Sequence, residues 1–285
     1  MQIAIASGKG GTGKTTVATN LALIAGKNGV YVDCDVEEPN GHLFLDPHIE
    51  NTQNVKSLVP RVDFSLCNFC GKCREVCRYN AIAVLPKTVM VFDELCHSCG
   101  GCMVACPEKA IYEQEREIGV AEVGHSGETL FVHGRLHVGE AMSPPLIRVV
   151  KKVVPERPYK ILDSPPGTSC PVITAISGAD VVALVTEPTP FGLHDLKLAV
   201  DMVKALGLPF GVVINRDGIG NDQVERYCEA EKIPILARIP DSRPIAEAYS
   251  KGRMAIHAVP EVKKIFDQLL ERLISLAEKE RAQAS

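Results

Sequence analysis

Eight of the chain's eleven cysteines lie between Cys67 and Cys106, and they repeat one pattern twice. Cys67-x-x-Cys70-x-x-Cys73-x-x-x-Cys77 recurs as Cys96-x-x-Cys99-x-x-Cys102-x-x-x-Cys106, and each copy leads into Ala-Ile, at Ala81-Ile82 and Ala110-Ile111. Thiolates at such spacings are metal ligands, and an odd total without a secretion signal argues against a disulfide framework. Zinc ribbons also use Cys-x-x-Cys pairs, but they need neither the third and fourth cysteines at this spacing nor a second copy. A second chemistry stands near the start of the chain. Gly8-Lys9-Gly10-Gly11-Thr12-Gly13-Lys14-Thr15 is a glycine-rich loop with the Gly-Lys-Thr ending of a phosphate cradle. Its glycines let successive N–H groups face phosphate, Lys14 suits the β- and γ-phosphates, and the Thr15 hydroxyl suits Mg²⁺.

Both chemistries need elements to position them. The apolar run Ile3-Ala4-Ile5-Ala6 precedes the loop, and a helical pattern through Val17, Leu21 and Ile24 follows it. A second strand, Val30-Tyr31-Val32, ends in the acidic stretch from Asp33 to Glu38, and the pattern is lost near Pro60. Strand-like runs return at residues 159–162, 181–185, 210–214 and 234–236, with a helical stretch through Leu193, Leu196, Leu198, Met202 and Leu206. The chain closes on a helix whose stripe is Val262, Ile265, Phe266, Leu269, Leu270, Leu273 and Ile274. Continuous apolar strands alternating with helices predict an α/β fold with a mostly parallel sheet buried on both faces. The expected organisation is a nucleotide-binding sheet domain over 1–60 and 118–285, interrupted at 61–117 by a small α+β domain carrying the cysteines.

Lys9, a second lysine early in the loop, resembles the deviant Walker A motif of the MinD superfamily of P-loop ATPases. That resemblance implies an ATP-dependent homodimer in which Lys9 reaches the phosphates of the nucleotide bound by the partner subunit. Val32-Asp33-Cys34-Asp35 is similar to the start of that family's switch I, which implies that Asp35 orients the attacking water and Asp33 supports it. Ile161-Leu162-Asp163-Ser164-Pro165-Pro166-Gly167 looks like Walker B and switch II, with Asp163 holding Mg²⁺ through water and the Gly167 N–H sensing the γ-phosphate. Asn215 resembles the base-reading asparagine. Guanine-specific relatives place an aspartate where this chain has Gly218, so adenine and hence ATP is implied. Pro240 and Asp241, after Ile239, resemble the loop that frames the base. The implied nucleotide-binding set is Gly8, Gly10, Gly11, Thr12, Gly13, Lys14, Thr15, Thr16, Asn215, Pro240 and Asp241, and the catalytic set is Lys9, Lys14, Asp35 and Gly167.

Each cysteine repeat resembles a bacterial-type ferredoxin, in which three close thiolates bind one [4Fe–4S] cube and the fourth ligates the other. The resemblance implies one cluster on Cys67, Cys70, Cys73 and Cys106, and a second on Cys96, Cys99, Cys102 and Cys77. Pro107 follows Cys106 as that pattern expects, whereas Arg78 follows Cys77. The combination is similar to MinD-superfamily ATPases containing an inserted ferredoxin domain, with Gly139-Glu140 and Ser143 to Arg148 matching the connection back to the sheet. It implies nucleotide-dependent dimer switching coupled to electron transfer towards a redox partner. The alternative is an ATPase that delivers clusters to apo-proteins.

The remaining candidates read as structural. Cys170 follows switch II at a position where the nitrogenase iron protein has a cluster ligand, yet only Cys34 and Cys228 remain outside the repeats, and the expectation is a buried free thiol. Cys34 and Cys228 are expected in the core, and His133 and His137 as structural or solvated. Thirty-one Lys plus Arg against 35 Asp plus Glu leave a net charge of −4, which argues against a nucleic-acid partner. Five basic and five acidic residues balance between Glu261 and Arg281, against a membrane-surface helix. No apolar run approaches the roughly 20 residues that span a bilayer. The expectation is a cytoplasmic protein.

Overall fold

The computed structural model describes residues 1–284. Its strands are β1 (Gln2–Ala6), β2 (Gly29–Asp33), β3 (His48–Val62), β4 (Ile82–Leu85), β5 (Thr88–Val91), β6 (Ile111–Ser126), β7 (Thr129–Leu136), β8 (Tyr159–Asp163), β9 (Val181–Thr186), β10 (Phe210–Asp217) and β11 (Ile235–Pro240). The helices are α1 (Lys14–Ala25), α2 (His42–Leu45), α3 (Lys72–Val76), α4 (Gly101–Ala105), α5 (Pro144–Lys152), α6 (Cys170–Ile176), α7 (Pro190–Ala205), α8 (Gln223–Ala230), α9 (Arg243–Ser250), α10 (Ala255–Ala258) and α11 (Pro260–Ala284). Among the described residues, no helix is long and apolar enough to cross a membrane.

Nine strands form one sheet in the order β11-β10-β9-β1-β8-β2-β7-β6-β3. Strands β11 to β7 run parallel, and β6 and β3 extend the sheet as antiparallel neighbours. The pleat sends alternate residues of β1 to opposite faces. Ile3 and Ile5 pack with Val17 and Leu21 of α1 and with Phe266, Leu269 and Leu273 of α11. Ala4 and Ala6 pack with Leu146 and Ile147 of α5, Val172 of α6 and Val200 of α7. The expected stripe of the last helix is thus the part that covers the sheet.

Strands β3 and β6 form a long two-stranded ribbon, with Val62 opposite Ile111 at one end and His48 opposite His125 at the other. Only β6 pairs onward, through Gly119 to Ser126, with β7. The remainder of the ribbon leaves the sheet and carries the cysteine segment at its tip. The expected boundaries at 60/61 and 117/118 fall inside these two strands. Most of β3 is exposed, with a polar run from Glu50 to Asn54, so it has no apolar alternation to reveal it; cross-strand pairing forms it instead.

The cysteine segment repeats in backbone as well as in sequence. Positive φ values occur at Phe69 and Ser98, at Gly71 and Gly100, and at Asn80 and Lys109, each pair in equivalent positions of the two copies. Gly71 and Gly100 cap α3 and α4 in left-handed conformation. Ala81, Ile82, Val89, Ala110 and Ile111 are its buried apolar side chains, so the Ala-Ile pairs that end the repeats form its small core.

Candidate functional site

The phosphate loop joins β1 to α1, where the parallel sheet opens at the carboxyl ends of its strands. Gly13 caps α1 with φ 93°, a left-handed backbone, and a Cβ there would sit 2.3 Å from Asn215 Nδ2. That amide nitrogen donates to the Thr12 carbonyl at 2.8 Å, which ties the end of β10 to the loop. Asp241 donates its N–H to the Asp217 carbonyl at 2.9 Å, so Pro240 and Asp241 lie beside the strand end that carries Asn215. On the other flank, a Cβ on Gly8 would fall 2.0 Å from the Asp195 carbonyl oxygen, so α7 approaches the loop closely. Gly10 and Gly11 are exposed, and Thr15 and Thr16 begin α1 partly covered.

Strands β8 and β2 pair Asp33 with Asp163 and bring both carboxylates beneath this loop. Both are buried, and burial pushes both pKa values up, with the neighbouring Asp163 charge adding to the rise at Asp33. Tyr31 lies between them: its hydroxyl is 2.9 Å from Asp163 Oδ2 and 3.2 Å from Asp33 Oδ2. Asp33 also accepts the Asp35 and Gly41 N–H groups, both at 3.1 Å, and so shapes the segment that leaves β2. Burial, reinforced by Asp163, raises the Asp35 carboxyl to about 6. Burial lowers the Lys14 ammonium, while Asp163 and Asp35 pull it back up. The buried Asp163 Oδ1 has no hydrogen-bond partner. An unsatisfied carboxylate oxygen beside Lys14 and Thr15 is the oxygen donor a hard cation such as Mg²⁺ requires.

The eight repeat cysteines separate into two sets of four. Cys67, Cys70, Cys73 and Cys106 line one small pocket. Cys77, Cys96, Cys99 and Cys102 line a second. Each set takes three thiols from one repeat and the fourth from the other. Cys70 and Cys99 are exposed and the other six are partly buried. Among the described residues, no three His, Cys, Asp or Glu side chains converge closely enough to hold one metal ion.

Residues 3–256 match the CobQ/CobB/MinD/ParA nucleotide binding domain. The chain belongs to this family. An uncharacterized protein of Methanocaldococcus jannaschii is 35% identical over 230 residues, 78% of this chain and 80% of the relative. An iron-sulfur cluster carrier protein of Pyrococcus furiosus is 24% identical over 306 residues, covering 96% of this chain and 85% of its own length. The septum site-determining protein MinD of Pyrococcus horikoshii, solved with Mg-ADP, superposes with a TM-score of 0.60 at 22% identity, covering 97% and 96% of the two chains. The last likeness fixes the fold: a MinD-like, mostly parallel P-loop sheet.

Within this family fold, several side chains occupy places the sequence did not foresee. Cys170 is exposed, not buried, because it opens α6 directly after the 164–169 turn, with Pro171 fixing the first helical turn beneath it. The Gly167 N–H, expected to face a γ-phosphate, donates to the Ser7 carbonyl at 3.0 Å. Lys9 Nζ lies 3.8 Å from Glu187 Oε2, and Arg216 Nη1 lies 3.0 Å from Glu187 Oε1. Glu187 and Tyr31 had no motif to announce them. Tyr31 sits in the middle of β2 and Glu187 one residue beyond β9, so neither ends an apolar run in a way that marks it. Cys34 and Cys228 are buried as expected. His133 is buried with Nε2 2.7 Å from Glu122, whereas His137 is exposed.

Proposed function

We propose that the chain is an ATP-hydrolysing iron–sulfur protein in which nucleotide-dependent dimerisation controls [4Fe–4S] clusters held by the cysteine segment. The carrying observation is the sorting of eight thiols into two complete sets of four. A zinc ion needs four sulfurs at about 2.3 Å from one point. Two cavities ringed by thiols suit cubes instead, with Cys106 and Cys77 exchanged between repeats.

In this reading the loop glycines and Lys14 bind the phosphates, Asn215 meets the adenine edge, and Thr15 with Asp163 holds Mg²⁺, which supplies charge neutralisation. Asp35 orients water as a carboxylate, and Lys9 acts on the nucleotide of the partner subunit. The Gly167 N–H senses the γ-phosphate only after giving up the Ser7 carbonyl, so switch II has two alternative acceptors for one donor.

Delivery of clusters to apo-proteins is the first use we infer. The Pyrococcus relatives carry the name of cluster carriers, and the exposed Cys70 and Cys99 give an acceptor thiolate a place to begin ligand exchange. Electron transfer is the second, favoured by the completeness of both ligand sets, since fully ligated cubes are held rather than released. The deciding experiment loads the chain with iron and sulfide without oxygen and mixes it with an apo-ferredoxin, with ATP or without. ATP-stimulated appearance of cluster in the acceptor supports delivery. Clusters that stay on the chain while a redox protein is reduced support electron transfer. Stoichiometric zinc with no iron in anaerobic native preparations would overturn both.

A further inference from the structure

We propose that Glu187 is a positioning residue that holds Lys9 on its own chain until the nucleotide of a partner subunit competes for it. This rests on the reading above that Lys9 acts in trans.

The topology creates the contact. Strand β9 lies between β1 and β10, with Leu184 opposite Ala6 and Thr186 opposite Ile214. Glu187, one residue beyond β9, therefore emerges between the phosphate loop that follows β1 and the Asn215-Arg216 segment that ends β10. Its backbone is fixed by α7: a Cβ on Gly192 would fall 2.2 Å from the Glu187 carbonyl oxygen, and Thr189 caps that helix by accepting the Gly192 N–H at 3.0 Å. The Glu187 side chain is only 10% exposed, against 32% for Lys9 and 54% for Arg216. The two cations meet different oxygens of the one carboxylate, Lys9 at Oε2 and Arg216 at Oε1.

A mostly buried carboxylate is costly to leave without a cation. One counter-ion alone would lock Lys9 in place. A second makes its departure feasible, because Arg216, 3.0 Å from Oε1, can remain as counter-ion when Lys9 swings away. Glu187 thus opposes dimerisation through Lys9, and Arg216 weakens that opposition. The two removals have opposite signs. Without the carboxylate, Lys9 is free and the ATP-bound dimer tightens. Without Arg216, Lys9 becomes the sole cation on Glu187 and the dimer weakens.

An exposed or half-exposed ion pair changes an equilibrium by roughly two- to fivefold, and a symmetric dimer contains the contact twice, so the dimer dissociation constant should shift by about four- to twenty-five-fold. The test is sedimentation equilibrium of the full chain with a non-hydrolysable ATP analogue. Glu187→Gln, which keeps side-chain shape, should lower the dimer dissociation constant, and Arg216→Ala should raise it. In a Lys9→Ala background, Glu187→Gln should not restore dimerisation. A purely structural role for Glu187 would weaken the dimer in both variants; that result overturns the proposal. If Lys9→Ala dimerises like the unaltered chain, the trans reading itself falls. If Lys9→Ala abolishes dimerisation while Glu187→Gln leaves it unchanged, only the hold is wrong.

Discussion

The two candidate sites are built in opposite ways. Around the phosphate loop, Lys14, Asp33 and Asp163 are buried against a sheet whose both faces are packed, so the geometry stands on the core of the protein. The cysteine segment sits at the tip of a ribbon, with six buried apolar side chains and eleven large apolar ones exposed on it and its flanks, from Leu58 to Tyr112. So small a core supplies little stability by itself, and in small domains a bound metal commonly supplies the rest. In the proposed reading, one site is formed before its ligand arrives and the other is completed by its clusters.

Removing metal should expose this contrast most strongly. A chain stripped of iron should be cleaved by protease between Asp63 and Ala110 at least tenfold faster than the anaerobically loaded chain, while residues of the sheet stay protected. Equal protection of the segment with and without iron would show that its apolar contacts suffice. Phe266→Ala should do the reverse. It removes a fully buried ring between α11 and the sheet and should cost about 3–5 kcal/mol of sheet stability in denaturant titration, with the iron content of the surviving folded protein unchanged.

Acid titration sharpens the contrast on the nucleotide side. Asp35 has its folded pKa raised to about 6, above the carboxylate's ordinary value of 3.8. Between those values the folded chain binds more protons than the unfolded one. Without nucleotide, stability should therefore rise as pH falls through this window, by up to roughly 1.4 kcal/mol per unit. Melting curves from pH 7 to 5 should show that gain, and Asp35→Asn should reduce it. Asp33 and Asp163, also raised, act with the same sign. A melting temperature that falls over that interval equally in both proteins would contradict the burial argument.

The smallest effect should come from the link between the regions. Arg61 of β3 forks onto Asp93 with both N–O distances at 2.7 Å, and Arg116 of β6 reaches Asp93, Glu94 and Glu140. These partly exposed pairs join the ribbon to the turn before Cys96 and to the chain before α5. Arg61→Ala should cost about 1 kcal/mol, seen as faster hydrogen exchange in the 93–106 segment and not in β1 or β8. Equal acceleration throughout the sheet would mean that the two regions unfold as one unit.

Much of the candidate site could be read directly. Gly13, Lys14 and Thr15 are neighbours in the chain, and the loop they form is fixed by local backbone demands such as the positive φ of Gly13. The strands β1, β2, β8, β9 and β10 are continuous apolar runs because both their faces are covered. The cysteine spacing likewise fixes which three thiols of each repeat lie together, through the short turns capped at Gly71 and Gly100. These are effects of a few residues acting over short distances, and sequence carries them in full. Residues that meet only through pairing of distant strands were not legible. The ribbon of β3 and β6 has no core face to impose a pattern, so only its partner strand defines it. Tyr31 joins Asp33 to Asp163 because β2 lies against β8, and Glu187 meets both Lys9 and Arg216 because β9 lies between β1 and β10. Cys170 is exposed because α6 begins there, and the Gly167 N–H is engaged because the turn after β8 folds back on Ser7. Sequence determined which groups can bind phosphate and metal, since their chemistry and spacing are local. Tertiary structure decided which charge answers which, because strand order sets those distances and burial sets their strength.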